Sequence, residues 1–415
     1  MHDPSAHRIL VVEAVSGGAT LVKTAHALGI PAVLASHDAD DRRVSDELRA
    51  LVEQVLVVDT NDQAALERAA KQLHATTPVT AVLPGCDVYV PAAARVAAAL
   101  GLPGLPPDSV DAVRDKALMR RRTAAAGLRV PRHAEVTDAA QLPAAATHTG
   151  FPCVLKPADE SGSIHVSRAD DLDQLTAAYA RLCTDERLDL GRPLSGRALV
   201  EEYVAGDEYS VEGYVLDGVV HTVALTRKLL GPEPDFVEWG HLTPAELDPD
   251  TTAKLFAYTR EVAAALNVAV GLFHCELRLS ADEPVLIELG ARLPGDHIAD
   301  LVELSTGLSL PRVALAAALG LDPAELAAQG EPRAACAGVR FFTAAQGAGA
   351  YHVLAGWQEL SVRPDVVATG LAIAPGERIA AGDFRSRVAH AVFTAPDPAA
   401  AARTWQTLGD TVRAE

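Results

Sequence analysis

The sequence predicts an α/β protein of several domains, with a parallel sheet near the N-terminus and antiparallel strands in the middle of the chain. At 415 residues the chain is too long for one ordinary core, because domains average roughly 150 residues. The apolar segments RILVVEA, LGIPAVLAS and QVLVVDT alternate with helix-like stretches, which is typical of a parallel sheet covered on both faces. The segments RALVEEYV, EYSVEGYVLDG and VVHTVALT follow one another closely, which favours antiparallel pairing.

The charge balance excludes several classes of partner. The chain has 36 basic and 55 acidic residues, a formal charge of −19 that repels nucleic acid and anionic lipid unless basic residues cluster. The one basic run, Arg120 to Arg122, lies in a predicted helix and is interpreted as solvated surface. No apolar run reaches the roughly 20 residues that span a bilayer, and the N-terminal residues lack a signal-peptide layout. We therefore expect a globular, cytoplasmic protein with no nucleic-acid or membrane partner.

Turn and helix signals divide the chain into lobes. The first lobe closes near residue 105, and its turn SGGAT is not GxGxxG, so a dinucleotide-binding domain lacks its fingerprint. One capped helix is predicted from Asp108 to Gly127. Further along, LFHCELRLS and PVLIELGAR are predicted as paired strands, and the helix PAAAARTWQTL closes a strand-rich tail.

Two glutamates in these paired strands indicate a metal site. If the hairpin is centred on Asp282, Glu276 and Glu288 are cross-strand neighbours. Like charges opposite one another destabilise a sheet, so such a pair requires a cation. Magnesium, a hard ion that prefers oxygen ligands, fits two carboxylates and bound phosphate. The alternatives are a different register with one exposed glutamate, or a transition metal that also uses His274.

A second pattern indicates phosphate binding. Lys156 ends a predicted strand, and the turn after it contains Ser161, Gly162 and Ser163, whose N–H and hydroxyl groups can contact phosphate oxygens. A plain hairpin turn is the alternative interpretation. The chain contains no GxxxxGK[ST] motif, so an ATP site would have to be built by another fold.

The order of six segments resembles that of the ATP-grasp superfamily across nearly the whole chain. The resemblance implies an ATP-grasp fold with a Rossmann-like pre-ATP-grasp domain (1–105), a phosphate-lid subdomain (106–195), a subdomain with the adenine hinge and metal site (196–325) and a C-terminal strand-rich domain (326–415). The six segments are DKALMRRRTAAAGLRVP, GFPCVLKPADESGS, LVEEYVAGDEYSVEG, FVEWGHLTPAEL, FHCEL and LIELGARLPGDHI.

The same resemblance implies how ATP would bind. Two of only six lysines in the chain, Lys116 and Lys156, would contact the phosphates, and the turn of Ser161, Gly162 and Ser163 would close over them as a lid. The residues implied for the adenine hinge are Glu201, Glu202, Tyr203 and Val204, and Glu208 is implied for the ribose hydroxyls.

The resemblance also bears on the metal. Glu276 and Glu288 match the magnesium ligands of the family, and manganese can substitute for magnesium. Gly290 stands where many members have an asparagine ligand, so two carboxylates, phosphates and water would complete the coordination.

The segments FVEWGHLTPAEL and ELGARLPGDHIADLVELSTG are similar to those of bacilysin-type L-amino acid ligases, which make dipeptides. This similarity implies that Arg292 stabilises the acyl phosphate and the tetrahedral species with its forked donors. His241 would orient the amino substrate or accept its proton. Asp296 and Lys228 are assigned to the substrate site, and an acid at position 296 favours a polar or cationic group on the substrate.

We therefore expect an ATP-dependent carboxylate–amine ligase that works through an acyl phosphate and releases ADP and phosphate. Its partners would be a small-molecule carboxylate and an amine, and relatives suggest a homodimer. Two alternatives are another ATP-grasp reaction, such as carboxylation or a purine-pathway ligation, and a protein that binds ATP without turnover.

Overall fold

The computed structural model describes residues 6–326, 330–344, 348–379 and 383–415. Residues 1–5 of the first predicted domain and three short stretches of the fourth lie outside these ranges. The described residues form three main sheets. The sheets follow one another along the chain in the predicted order, but they do not all end at the predicted domain boundaries.

The first sheet is parallel, as predicted, with its strands in the order β3-β2-β1-β4. The central strand is fully buried because helices cover the sheet. The strands are β1 (Ile9–Val12), β2 (Ala32–Ser36), β3 (Gln54–Val57) and β4 (Ala81–Pro84), and the helices are α1 (Gly17–Ala27), α2 (Asp46–Arg49), α3 (Gln63–Thr76) and α4 (Val90–Ala99).

The second sheet is antiparallel, with the order β5-β10-β6-β7. Because β10 pairs with both β5 and β6, the predicted boundary at residue 195 is wrong: the second domain extends through β10. The strands are β5 (His133–Val136), β6 (Cys153–Pro157), β7 (Ser167–Ala169) and β10 (Ala198–Glu202); the helices are α5 (Pro107–Val110), α6 (Lys116–Ala125), α7 (Leu142–Thr149) and α8 (Leu172–Cys183); and a small hairpin joins β8 (Leu188–Asp189) to β9 (Arg192–Pro193).

The third sheet has eight strands in the order β15-β14-β11-β12-β13-β16-β19-β18. Its antiparallel character was predicted, but β16, β18 and β19 extend the same sheet through β13, so the C-terminal strands do not form a separate sheet. The strands are β11 (Glu208–Leu216), β12 (Val219–Leu230), β13 (Glu238–Thr243), β14 (Gly271–Ser280), β15 (Glu283–Gly290), β16 (Cys336–Thr343), β18 (Val366–Leu371) and β19 (Arg387–Ala395).

Helices pack on this third sheet, and the predicted closing helix is confirmed as α14. A short pair of strands, β17 (Leu354–Ala355) and β20 (Arg413–Ala414), ties the C-terminus down. The helices are α9 (Pro249–Ala265), α10 (Ile298–Thr306), α11 (Leu310–Leu319), α12 (Pro323–Leu326), α13 (Trp357–Ser361) and α14 (Pro398–Thr411). Within the described ranges no single helix is long and apolar enough to cross a membrane, and α10 with α11 meets that test only as a pair bent by 99°.

The predicted helix from Asp108 to Gly127 is broken in two, as α5 and α6. Asp115 starts the second helix, since its side chain accepts a hydrogen bond from the Leu118 N–H at 2.9 Å. The N–H of Lys116 donates to the carbonyl of Ala158 at 2.8 Å, so the break attaches the helix to the end of β6.

Arg120, which was interpreted as solvated surface, is fully buried. Its Nε donates to Glu201 on β10 at 2.8 Å, and its Nη2 donates to the carbonyl of Ile287 on β15 at 2.6 Å. The side chain therefore joins the second sheet to the third, a contact between distant segments that helical periodicity does not reveal.

We expect Arg120→Met to destabilise the protein by about 3–5 kcal/mol, because it leaves the Glu201 carboxylate with one buried cation fewer and the Ile287 carbonyl unpaired. Arg121→Met is the matched control, since that side chain is 56% exposed and should change stability by less than about 0.5 kcal/mol. Urea unfolding of both variants measures the difference. Equal stabilities of the two variants would contradict the role given to Arg120.

Candidate active site

Glu276 on β14 and Glu288 on β15 are directly opposite one another, as predicted. The predicted centre of the hairpin was wrong, however. Ser280 pairs with Glu283, so the turn is the two residues between them, and both have positive φ values of 50° and 62°. A turn of this kind matches the twist of the strands.

A bulge at Ile287 corrects the register. Leu277 pairs with Leu286, and without an extra residue Glu276 would face Ile287. The bulge brings Glu288 opposite Glu276 instead. Arg120 donates a hydrogen bond to the carbonyl of the bulged residue, Ile287. The two carboxylates therefore face each other because of a local irregularity that neither strand pattern shows.

Three cations surround this carboxylate pair. Lys228 Nζ lies 2.5 Å from Oε1 of Glu276, and His274 Nε2 lies 3.0 Å from the same oxygen. Lys116 Nζ lies 2.9 Å from Oε1 of Glu288. These contacts engage Oε1 of each glutamate, so Oε2 of each is the oxygen that can ligate a metal. Two such carboxylate oxygens, near residues that are predicted to contact phosphate, fit magnesium.

His274 belongs to a buried chain of ionised groups. Its Nδ1 lies 2.9 Å from the fully buried Glu212, on the neighbouring strand β11. Burial lowers the pKa of His274, but the carboxylates of Glu212 and Glu276 outweigh it and raise the pKa to about 9. The charged imidazole thus fixes the position of Glu276, and a transition-metal role for it is disfavoured because both ring nitrogens are engaged.

Lys228 is the buried cation that offsets the charges of three glutamates at the site. Its Nζ also lies 2.6 Å from Glu238 and 3.5 Å from Glu208, although only 4% of the residue is exposed. Burial opposes its charge, but Glu238, Glu276 and Glu208 hold its pKa well above the usual value. The similarity-based assignment of Lys228 to the substrate site stays a prediction. Lys228 lines a cleft that is named the nucleotide cleft because the predicted ATP-binding residues lie in it.

This cleft lies between the second and third sheets, and its empty volume, which includes space open to solvent, is about 1010 Å³. The predicted phosphate residues line it together. Lys156 Nζ lies 2.6 Å from Glu201, and Lys116 Nζ also donates to the carbonyl of Glu160. The lining further includes the lid residues Ser161, Gly162 and Ser163, and also Glu202, Val204, Glu208, Phe236 and Ile287.

Some backbone groups of the predicted adenine hinge already form hydrogen bonds within the protein. The N–H groups of Glu202 and Tyr203 donate to the carbonyls of Arg132 and Pro152 at 2.9 and 3.2 Å. The carbonyl of Val204 accepts from Arg278 at 2.8 Å. The adenine contact remains a prediction.

Two acidic side chains of the hinge region have cation partners. Burial would raise the pKa of Glu201, but Arg120 and Lys156 lower it to about 2. Glu208, predicted for the ribose, accepts from Arg278 Nε at 3.0 Å and keeps a place on the cleft wall. Both carboxylates are therefore held in position before any nucleotide binds.

Arg292 stands where the nucleotide cleft meets a second cavity of about 930 Å³. Its Nε donates to Asp87 at 2.6 Å, and Nη1 donates to the Leu293 carbonyl at 3.0 Å. Burial would raise the pKa of Asp87, but Arg292 and Arg114 hold it below its usual value. Sequence reasoning missed Asp87, although it follows β4 at the carboxyl edge of the parallel sheet, where ligands bind in such folds.

His241 and Asp296 do not both reach the substrate space. His241 is fully buried behind Asp296, with Nε2 3.4 Å from its carboxylate, so its predicted role of orienting the amino substrate or accepting its proton stays a prediction that would have to act through Asp296. Asp296 lines the second cavity, but Arg387 lies 2.8 Å away and holds the pKa of the buried carboxyl well below its usual value. The acid predicted to select a cationic group is thus already neutralised by an arginine.

The cluster of Glu238, His241 and Asp296 has the spacing of a metal site. Arg387 Nη2 lies 2.6 Å from Glu238, and Nη1 contacts Asp296, so the guanidinium fills the space between the carboxylates. The cluster is therefore an internal ion network rather than a second metal centre.

Comparisons with known proteins agree with this architecture. A model of the ATP-grasp N-terminal domain matches residues 22–104, and a model of the ATP-grasp domain matches residues 149–300. The chain is 27% identical to the uncharacterized protein y4rH of Sinorhizobium fredii, over 95% of this chain and 79% of that protein. It is 25% identical to alanine–anticapsin ligase of Bacillus subtilis, over 57% of this chain and 53% of that enzyme, so the match spans about half of the ligase.

A solved structure extends the likeness to the whole fold. The L-amino acid ligase from Bacillus licheniformis superposes with a TM-score of 0.83 and 22% identity, covering 99% of this chain and 98% of that chain. The predicted fold class, with a parallel N-terminal sheet followed by antiparallel sheets, is confirmed.

We expect Lys228→Met to lower the free energy of unfolding by about 3–5 kcal/mol in metal-free buffer, since Glu238, Glu276 and Glu208 would lose their shared cation. Lys254→Met is the control, because Lys254 is exposed and lies 3.6 Å from the exposed Glu283. Denaturant unfolding of the two variants in the presence of a chelator provides the comparison. The charge-balance argument fails if Lys228→Met is no less stable than its control.

Proposed function

We propose that this chain is an ATP-grasp ligase that uses ATP to join the carboxylate of one amino acid to the amino group of another through an acyl phosphate; the two matching ATP-grasp domain models support this assignment. The observation that carries the proposal is that the nucleotide cleft and the second cavity meet at Asp87, Glu276 and Arg292. A phosphate in the first space and a carboxylate in the second would therefore be adjacent. The relationship to alanine–anticapsin ligase supports amino acids as the substrates.

In the first step the substrate carboxylate attacks the γ-phosphorus atom, the bond to the β–γ bridging oxygen breaks, and ADP leaves. Lys116 and Lys156 are at the cleft to contact the phosphates, and Arg292 faces the carboxylate. Glu276 and Glu288 would hold magnesium, which would supply charge neutralisation for the phosphate oxygens. The acid partners of the two lysines, Glu288 and Glu201, hold them at the cleft before ATP arrives.

In the second step the amine nitrogen attacks the acyl carbon, the carbon–oxygen bond to phosphate breaks, and the nitrogen loses a proton to the departing phosphate. Arg292 has an Nη2 group whose hydrogen bonds are not used by Asp87 or Leu293, so it can donate to the oxyanion of the tetrahedral species. Asp296 faces the same cavity, and His241 behind it acts as a positioning residue for that carboxylate.

The deciding experiment incubates the protein with ATP, magnesium and pooled amino acids and analyses the products by mass spectrometry. We expect a condensed product that is one water lighter than the sum of two amino acids, with ADP and phosphate in equal amounts. Phosphate release that requires bicarbonate or a ribonucleotide would favour a different ATP-grasp reaction. ATP binding without phosphate release from any amino acid pair would indicate a protein without turnover.

We expect Arg292→Met to reduce kcat for amide formation by about 10²–10³-fold, because it removes a donor to the developing oxyanion. The affinity for ADP should stay within about threefold of the original value, since Arg292 faces the substrate side of the cleft. Steady-state kinetics and a nucleotide-binding titration measure the two quantities. A loss of nucleotide affinity as large as the loss of kcat would contradict this division of roles.

We expect Glu276→Gln to raise the magnesium concentration needed for half-maximal activity by at least about tenfold, because a neutral amide is a poorer ligand. Glu283→Gln is the matched control, as Glu283 lies in the same hairpin and is exposed. Chelation should abolish activity, and manganese should restore it. Identical magnesium titrations for the two variants would remove Glu276 from the metal site.

A further inference from the structure

The hairpin of residues 188–193 is a feature that the reaction scheme does not use. It is inserted between α8 and β10, and no sequence motif identifies it. Asp189 and Leu190 line the second cavity, together with residues of the loops after β1 and β4 and with Ile298 of α10. The hairpin therefore covers the space in which the substrate carboxylate would lie.

The tip of this hairpin holds a leucine in an unfavourable backbone conformation. Leu190 has a φ of 48° and Gly191 a φ of 74°, and the left-handed region is unusual for a bulky side chain. A residue kept in such a conformation is held there by its surroundings. Leu190 packs against the apolar core of the first sheet, so its side chain has a defined position over the cavity.

The tip is docked on the N-terminal domain. Asn61 Nδ2 donates to the carbonyl of Leu190 at 3.0 Å, and Tyr89 donates to Asn61 Oδ1 at 3.4 Å. Gly191 packs so closely on the guanidinium of Arg42 that a Cβ atom would overlap it. These contacts fix the tip from outside the cavity.

The other end of the hairpin is linked to the phosphate lid. Arg192 lies 3.6 Å from the buried carboxylate of Glu160, which directly precedes the lid residue Ser161, and Arg114 lies 3.8 Å from the same carboxylate. The hairpin thus bridges the N-terminal domain and the lid across the mouth of the second cavity.

The acidic groups of the cavity wall have cation partners: Asp189 lies 3.9 Å from Arg192, and Glu238 and Glu276 both contact Lys228. Asp296 is neutralised by Arg387 at 2.8 Å, and Asp87 by Arg292 at 2.6 Å. The remaining side chains of the wall include six apolar ones, each from a different part of the chain. They are Val15, Val88, Ile164, Leu190, Ile298 and Phe384.

We propose that the 188–193 hairpin is a substrate-selecting wall, and that Leu190 sets the size of the uncharged, apolar amino acid side chain that the second cavity accepts. The proposal rests on the proposed function in that it takes the ligand to be an amino acid. Leu190 is accordingly a specificity-determining residue that does not touch the reacting atoms.

The test measures binding, so that it does not depend on amide formation. Alanine, leucine, phenylalanine, lysine and glutamate are each titrated into the full-length protein with magnesium and a non-hydrolysable ATP analogue. For the original protein we expect leucine to bind more tightly than lysine or glutamate. In Leu190→Ala the ratio of phenylalanine to alanine affinity should rise by about tenfold, because a shortened wall admits a larger side chain.

Two further variants make the result specific. Leu188→Ala is the matched control, since Leu188 lies in the same hairpin but is 57% exposed and does not line the cavity, and its binding profile should equal that of the original protein. Leu190→Asn removes the apolar wall while keeping a residue that tolerates the left-handed backbone, so it should shift the profile without unfolding the tip.

An unchanged profile in both Leu190 variants would overturn the inference, as would tighter binding of lysine or glutamate than of leucine, or no binding of any of the five. The mass-spectrometric product assay is run in parallel and decides the proposed function separately. A shifted profile without any condensed product would leave the hairpin as a selecting wall and reject the ligase reaction. A condensed product together with unshifted binding profiles would support the ligase reaction and reject the hairpin as a selecting wall.

Discussion

Two carboxylates on adjacent strands are the constraint on which the rest of the site depends. Glu276 and Glu288 face each other in a buried sheet, and ionised groups in that position repel unless positive charge surrounds them. Lys228, Lys116 and His274 supply that charge, and each comes from a different element. Two of the six lysines, Lys228 and Lys116, thus lie within 3 Å of this pair. Lys116, which is predicted to contact phosphate, also stabilises the site in the absence of a ligand.

Much of the architecture could be predicted from local pattern. Strand periodicity identified the parallel and antiparallel sheets, and the order of short motifs identified the fold, because both signals lie within segments of ten or so residues. The pairing of Glu276 with Glu288 was also predicted, but through a turn centred on Asp282 rather than between Ala281 and Asp282, and without the bulge at Ile287, which no pattern indicates. The predicted pairing was right because the shifted turn centre and the bulge change the strand register in opposite directions.

The features that could not be predicted depend on contacts between distant segments. Arg120 resembles its neighbours on a charged helix, and only the approach of β10 and β15 makes it buried. The charge that Asp296 presents to the cavity depends on Arg387, far along the chain on β19, and an acid was therefore expected to select a cation that the network does not require. Whether a polar residue already has a hydrogen-bond or ion-pair partner depends on side chains from distant segments, and its position in the sequence does not reveal them.

Arg120 has a mechanical consequence as well. By bonding to Glu201 beside the hinge and to the bulged carbonyl of Ile287 beside the metal strands, it gives the second and third sheets one shared fixed point at the back of the nucleotide cleft. A rotation of one sheet against the other would then leave this point nearly still and move the lid turn, at the open end, the farthest. Because of Arg120, any such rotation would widen the cleft at its open end and change it little at its base.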